Sequence, residues 1–573
     1  MEYIKKIISV TKKNKNDYVS FLLFLMFISS FLETLTIGMI VPLVTSLIDQ
    51  SSSSSIANYF YNFENVFWAD SLSSIGEKNL ILILLCIFFL VITLKTFISV
   101  FFVYYRGKFR FNLINNLANK IFSNYLNKPY NFFIKENSSI LIRNCTSEID
   151  IFASSADSLF ILLNEIILFI FILFFLFLFN FQVTLFTIIL FSISALIFLQ
   201  LTKNKAIKLG KDRQLYKGKN FQFAREAFGA VKEINIYNKF SYFINQYLDT
   251  YKKISLISWS TDILQILPKN VFEYLMLLAV LVFVLFGVVF ENNFEEIIII
   301  LTVYAAAGYK LLPGLNRIIT TIQKLKISIP AINTVFIETK DNNFIKRNFK
   351  KKDIIFKNKI EIKNLTFGYT DKSNVLENLN FKIVKGKTIG VFGQSGAGKS
   401  TLLDLICGLY KNYSGSISVD DKNIDKLDSN WQSKIGYVPQ NTYLFDGSFE
   451  KNIAFGELPN QINNEKIDFA IEASGLSGII NSFKEKKNKI IGEKGLSLSG
   501  GQRQRIGIAR ALYKNPEILI LDESLNALDL DTEIKILDSI KKISNISVII
   551  VSHRMSTLNE CDEIYKVENK KIN

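Results

Sequence analysis

Thr388-Ile389-Gly390-Val391-Phe392-Gly393-Gln394-Ser395-Gly396-Ala397-Gly398-Lys399-Ser400-Thr401 reads as a short apolar strand, a glycine-rich turn and the start of a helix that runs on through Tyr410. The turn fits the pattern G-x-x-x-x-G-K-[ST]. Placed between a strand and a helix, such a turn lets successive backbone N–H groups and a helix N-terminus surround a triphosphate. Lys399 then acts as a point charge on the β- and γ-phosphates, and the hydroxyl of Ser400, helped by Thr401, holds Mg²⁺. Further on, Ile518-Leu519-Ile520-Leu521-Asp522-Glu523 is an apolar strand that ends in two carboxylates. Asp522 suits the Mg²⁺-associated acid, and Glu523 suits the base that polarises an attacking water.

The 573 residues exceed what one core accommodates, so at least two domains are expected. With 49% hydrophobic residues, a soluble chain would expose large apolar patches, which predicts a membrane part. Six stretches, near residues 20–44, 80–104, 159–179, 183–202, 271–290 and 297–315, are long and apolar enough to cross the roughly 30 Å of hydrocarbon in a bilayer. The first has no small-residue cleavage site and is expected to be a retained span. Basic residues crowd the segments between spans two and three (Arg106, Lys108, Arg110, Lys120, Lys128, Lys135, Arg143) and between spans four and five (among them Lys203, Lys205, Lys208, Lys211, Arg213). The loop 49–78 has only Lys78, and the turns at Asn180 and 291–296 have no base. The positive-inside rule therefore puts the N-terminus, both basic loops and the C-terminal third in the cytoplasm. The net charge of +16 follows from this topology, so no nucleic-acid partner is expected. Cys86, Cys145, Cys407 and Cys561 have no metal-ligand spacing, and with one histidine, His553, a zinc site is not expected.

Leu498-Ser499-Gly500-Gly501-Gln502, together with the P-loop and the paired carboxylates, resembles the nucleotide-binding domain of an ATP-binding-cassette (ABC) protein. The six spans extend that resemblance to ABC exporters. It implies an α-helical six-span transmembrane domain over residues 1–338, a linker over 339–354 and an α/β P-loop nucleotide-binding domain over 355–573, acting as an ATP hydrolase coupled to transport. ATP would meet Gly393, Gln394, Ser395, Gly396, Ala397, Gly398, Lys399, Ser400 and Thr401, with the ring of Tyr369 on adenine. Gln440 would join Ser400 and Asp522 at Mg²⁺ and belong to the catalytic set with Glu523 and His553. Asp529 falls in the D-loop, where Asn526 departs from the family's usual Ser. Ser499, Gly500, Gly501 and Gln502 would cap the γ-phosphate held by an opposite subunit, which implies a homodimer. Gly492-Glu493-Lys494-Gly495 resembles the exporter X-loop, and residues 228–234 resemble a coupling-helix region.

The cassette says nothing about cargo. Ionisable groups within spans are costly and tend to face a cavity or each other. Lys95, Lys269 and Lys310 would suit an anionic headgroup, and the alternative is pairing with Glu33, Glu165 or Glu273, or snorkelling. Ser30-Phe31-Leu32-Glu33-Thr34 and the run from Tyr309 to Thr320 resemble PglK-type flippases of bacterial protein glycosylation. That likeness implies outward movement of a polyprenyl-pyrophosphate-linked oligosaccharide across the bacterial inner membrane. It also implies a short amphipathic outer helix in the loop 49–78. Export of another amphiphile (lipid, drug or peptide) is the alternative, and a gated channel on the same scaffold is a third reading. Only about 18 residues precede the first span, so a protease-bearing peptide exporter is not expected. A soluble ABC ATPase would lack the spans.

Overall fold

The structure, a computed structural model, describes residues 2–12, 18–39, 77–290, 294–340, 356–369, 373–424, 430–492, 495 and 498–572. The expected outer helix within 49–78, most of the linker, and Glu493 and Lys494 of the X-loop lie outside the described residues. The chain divides into two compact units, one of Met1–Leu126 and Glu136–Asn343, the other of Asn127–Lys135 and Phe344–Asn573.

The first unit is helical. The six expected spans fall on Tyr18–Gly38, Glu77–Leu126, Ile149–Phe179, Phe181–Gly229, Phe240–Phe290 and Phe294–Ile327, here called the first to sixth membrane helices. Among the described residues, five helical stretches are long and apolar enough to cross a membrane. Several helices outrun their apolar stretch, the second reaching Leu126 and the fourth Gly229. The second is also the least covered: Phe89, Leu90 and Phe97 are 70%, 61% and 63% exposed. Water would not tolerate such a face, but lipid is its natural solvent. Asn180 makes the turn between the third and fourth helices, where its side chain accepts from the N–H of Val183 at 3.1 Å and caps the fourth. Ile37, Leu168, Ile172, Leu176, Val303 and Ala307 form a core that ties the first, third and sixth helices together. Gly210 is needed where the fourth helix meets the sixth, because a Cβ there would lie 2.1 Å from the carbonyl oxygen of Ile327. An apolar cavity of about 700 Å³, lined by Phe169, Leu173, Met276, Tyr304 and Leu312 among others, opens between the third to sixth helices. Gly229 ends the fourth helix, and the expected coupling region continues as the short helix Val231–Ile236.

The second unit is built on two sheets. Strands β1 (Lys359–Phe367), β2 (Leu376–Val384), β4 (Ser414–Val419) and β5 (Lys422–Asn423) form an antiparallel sheet in the order β2-β1-β4-β5. Strands β3 (Thr388–Gly393), β6 (Ile435–Val438), β7 (Ile518–Asp522), β8 (Ser547–Val551), β9 (Glu563–Glu568) and β10 (Lys571–Ile572) form the other, in the order β10-β9-β3-β8-β7-β6. Strands β9, β3, β8, β7 and β6 run parallel. β7 and β8 are buried along their whole length, which is why they read as unbroken apolar runs. Central parallel strands deliver their C-terminal ends to one edge, and β3 and β7 end there in the P-loop and in Asp522. The segment Asn127–Lys135 packs in this unit, with the ring of Tyr130 6.0 Å from that of Tyr410.

Candidate functional site

The P-loop turn is shaped by glycines in backbone conformations that side chains resist. Gly396 and Gly398 have φ of +81° and +101°, and a Cβ on Gly398 would lie 2.6 Å from Leu376. The helix Lys399–Ile406 starts at Gly398, so its first N–H groups face the loop. Lys399 is buried and curls over the loop, its ammonium donating to the carbonyls of Gly393 at 2.7 Å and Gln394 at 3.0 Å. Burial lowers its pKa, an effect opposed by the charges of Glu523 and Asp522. Tyr369 shares a hydrogen bond of 2.8 Å with Thr401 and packs edge-on against Tyr410 at 5.6 Å. The sequence-predicted residues of the loop, Tyr369 and Thr401 thus come together.

The carboxylates meet them from β7. Asp522 accepts from the hydroxyl of Tyr437 at 3.1 Å and from Ser400. Burial raises its pKa, and the neighbouring charge of Glu523 adds to the rise. Asp404, on the P-loop helix, is pushed up to about 6 by burial and by the charge of Asp522. Glu523 sits between two side chains, with the amide of Gln440 donating to Oε2 at 2.9 Å and His553 Nε2 3.0 Å from Oε1. Its φ of +49° is one that non-glycine residues rarely adopt, at a cost of roughly 1–2 kcal/mol. Its N–H donates to Val551 of β8 at 3.0 Å, which fixes the backbone there. A serine hydroxyl, a carboxylate and a nearby amide form an oxygen-rich set of the kind that suits Mg²⁺, which takes one or two carboxylates and leaves the rest to phosphate and water. The residues present therefore fit both ATP and its metal.

The signature segment lies at the start of the helix Gly500–Tyr513. Ser499 caps it by accepting from the N–H of Gln502 at 3.2 Å, and the Gln502 side chain accepts from the N–H of Ser499 at 2.9 Å. A Cβ on Gly501 would stand 2.9 Å from the carbonyl oxygen of Ala527, so the signature abuts the loop after β7. Asp529 caps the helix Leu530–Lys541 through the N–H of Thr532 at 3.0 Å. None of the signature groups reaches the P-loop of its own chain through any hydrogen bond among the described residues. Sequence reasoning missed Arg554. Its guanidinium donates to the carbonyls of Asn526 at 2.7 Å and Leu528 at 3.1 Å and to the buried carboxylate of Glu533 at 2.9 Å. It thereby ties the loop around Asn526 to the residue next to His553, and that adjacency was the available signal.

The membrane lysines need a correction. They do not form one set of three: Lys95 and Lys310 both pair with Oε1 of Glu33, at 3.2 and 2.8 Å, whereas Lys269 lies 3.8 Å from Glu273 on its own helix. Carboxylate pairing therefore prevails in the first unit. Arg317, also missed, makes a two-pronged bond to Glu165 at 2.7 and 3.1 Å.

Comparison with known proteins follows the same division. The family model described as ABC transporter matches residues 376–526, and that described as ABC transporter transmembrane region matches residues 19–306. The chain is 31% identical over 490 residues to a protein of Wigglesworthia glossinidia brevipalpis named ATP-dependent lipid A-core flippase, with 83% of this chain and 82% of that protein covered. A protein of the same name from Saccharophagus degradans is 28% identical over 474 residues, covering 82% and 79%. The solved structure of a bacterial Atm1-family ABC exporter with ATP bound shares the fold, with a TM-score of 0.75 and 20% identity over 93% of both chains.

Proposed function

Because the chain belongs to the ABC transporter family, as a multi-pass membrane exporter that hydrolyses ATP, we propose that it carries an anionic lipid from the inner to the outer leaflet of a bacterial inner membrane. The observation that carries this reading is the ion cluster among membrane helices, in which Lys95 and Lys310 pair with Glu33 and Arg317 pairs with Glu165. Ionisable groups at such positions are costly to keep and belong to transport pathways more often than to packing. The apolar cavity of about 700 Å³ in the same unit suits hydrocarbon chains.

The preferred cargo is a polyprenyl-pyrophosphate-linked oligosaccharide, on the strength of the resemblance around Glu33 and Lys310 to PglK-type flippases. A second reading, lipid A-core, is favoured by the two relatives of that name, which align over 83% and 82% of the chain. Both cargoes join apolar chains to phosphorylated sugars, so the cluster fits either.

In the ATP site, hydrolysis of the bound γ-phosphate supplies the driving energy. Lys399 and the loop N–H groups hold the phosphates, while Ser400, Asp522 and Gln440 would hold Mg²⁺. Glu523, oriented by Gln440 and His553, accepts a hydrogen bond from the attacking water. Tyr369 stacks on adenine. Ser499, Gly500 and Gly501 act on the site of a second copy, which supports a homodimer with two composite sites.

The test is reconstitution into liposomes with ATP and Mg²⁺. Outward movement is scored for the lipid-linked oligosaccharide, for lipid A-core and for a neutral lipid. Movement of the first supports the preferred cargo and movement of the second alone replaces it. Equal movement of the neutral lipid, or of none with ATPase activity intact, overturns the anionic-lipid reading.

A further inference from the structure

We propose that Glu33 is a resident counter-anion, whose carboxylate holds between Lys95 and Lys310 the place that an anionic headgroup takes when cargo enters. This rests on the reading of the cargo as an anionic amphiphile, and it assigns that site a built-in competitor.

The geometry is that of an exchangeable pair. A single oxygen, Oε1 of Glu33, serves Lys95 from the second membrane helix and Lys310 from the sixth. Ammonium groups bind as point charges without a fixed fork, so another oxyanion can replace the carboxylate without reorganising them. The Arg317–Glu165 pair differs: its two parallel bonds fix an orientation, and Glu165 is only 8% exposed. Lys310 and Lys95 keep 34% and 21% of their side-chain surface open, against 15% for Glu33. The two lysine side chains are thus more open than the carboxylate they share.

Charge and polar capacity point the same way. Three cations against two carboxylates leave the cluster with one positive charge. Among the described residues the hydroxyl of Ser30, one turn before Glu33 and 1% exposed, has no hydrogen-bond partner, and neither do the side-chain oxygens of Asn164 and Asn316, the sequence neighbours of Glu165 and Arg317. An ion pair removed from water loses in desolvation much of what it gains by attraction, and the displaced carboxylate stays within the protein, so an incoming anion must bring more negative charge than the carboxylate it replaces. In the empty exporter Glu33 offsets one of the two ammonium charges. On loading, a phosphate or pyrophosphate repays its displacement, and a neutral amphiphile cannot. The consequence is selection against neutral lipids at the loading step.

The test uses the full chain in lipid nanodiscs, with farnesyl diphosphate, dodecyl phosphate and the neutral farnesol as probes and inorganic pyrophosphate as the headgroup alone. Glu33→Gln should tighten binding of both anionic lipids by about tenfold or more and leave farnesol unchanged, because a charge-assisted competitor is removed. Adding Lys310→Gln should abolish the gain. Glu33→Asp, which keeps the charge but sets the carboxylate back by one methylene, should show a smaller gain and guards against a Gln variant that fails to fold. Anion affinity that is unchanged or weaker in both Glu33 variants makes Glu33 a structural brace and overturns the proposal, as does an equal gain for farnesol. Competition by inorganic pyrophosphate shows that the headgroup suffices, and its failure to compete with either anion would also overturn the exchange. A gain for both anionic lipids without liposomal movement of lipid-linked oligosaccharide would leave Glu33 in this role and sink only the preferred cargo.

Discussion

Nε2 of His553 lies 3.0 Å from Oε1 of Glu523, on the carboxylate edge opposite Gln440. The glutamate is thus aimed by a residue on each side, one following β6 and one following β8. Glu523→Gln keeps this shape and removes the charge that polarises water. Steady-state ATPase activity should fall by about a hundredfold or more while ATP binding persists, as for loss of a group acting in the transition state. His553→Ala should lower the rate strongly with a smaller loss of nucleotide affinity. Rates near that of the unaltered protein for the Gln variant would remove Glu523 from the proposed role.

Arg554 is expected to matter through position. Its guanidinium joins the carbonyls of Asn526 and Leu528 to Glu533, which is 2% exposed. Among the described residues, Arg554→Ala leaves that carboxylate with the hydroxyl of Thr557 as its remaining side-chain partner. A destabilisation of about 1–3 kcal/mol follows from an unsatisfied buried charge. Thermal unfolding should show it. A fall in kcat at unchanged KM for ATP in Arg554→Lys, which keeps charge but not the fork, would separate loop positioning from mere packing.

These two sites show what a sequence can and cannot disclose. The P-loop turn, the β7 carboxylates and the capped start of the signature helix were legible because each arrangement depends on local spacing: glycines at a turn, acids at a strand end, a cap at a helix start. Five of the expected spans were legible because lipid demands long apolar runs, and the described helices that carry them are long and apolar enough to cross a membrane. The ion pairs were not. Arg317 and Glu165 stand 152 residues apart and no periodicity links them, so only packing of the third helix against the sixth reveals the bond. The three lysines read alike in sequence, yet Lys269 faces Glu273 on its own helix while the others share Glu33. The strained φ of Glu523 was hidden too, since nothing in Leu521-Asp522-Glu523 marks a left-handed residue.

Asp404 predicts a pH dependence. Burial and the charge of Asp522 push its carboxyl from the ordinary aspartate range up to about 6, and Tyr130, Cys407, Tyr410 and Tyr437 surround it with groups that are neutral at that pH. The folded state then binds a proton that the unfolded chain has already lost, so stability falls as pH rises from about 4 to about 6 and stays reduced above. Asp404→Asn should therefore raise the thermal midpoint at pH 8 by about 2 °C or more, and the gain should shrink at pH 5. A constant difference across that range would show that the carboxyl does not titrate in this window.

Tyr369 separates a ring from its hydroxyl. The ring packs against Tyr410 and Phe367, at 5.6 and 5.3 Å, and the hydroxyl meets Thr401. If the ring stacks on adenine, Tyr369→Phe should retain ATP affinity to within about threefold, whereas Tyr369→Ala should weaken it by about tenfold, given roughly 1–3 kcal/mol for base–aromatic stacking. Equal losses in both would assign the effect to the hydrogen bond with Thr401.

Ser499 predicts action across a dimer. Its side chain is spent on capping Gly500–Tyr513, and the helix start it shapes makes no hydrogen bond to the P-loop of its own chain among the described residues. In the head-to-tail arrangement each composite site takes Lys399 from one copy and Ser499 from the other. Mixing Lys399→Ala chains with Ser499→Ala chains then collects both lesions in one site and leaves the second intact. The mixed dimers should hydrolyse ATP at a rate that neither homodimer reaches, provided that one intact site turns over. A rate no better than the weighted sum of the homodimers means either that the signature serves its own chain or that both sites must fire together. A disulfide engineered between Ser499→Cys of one copy and Ser395→Cys of its partner distinguishes these. Cross-linking that depends on ATP keeps the trans arrangement and makes the two sites interdependent, and its absence rejects the arrangement.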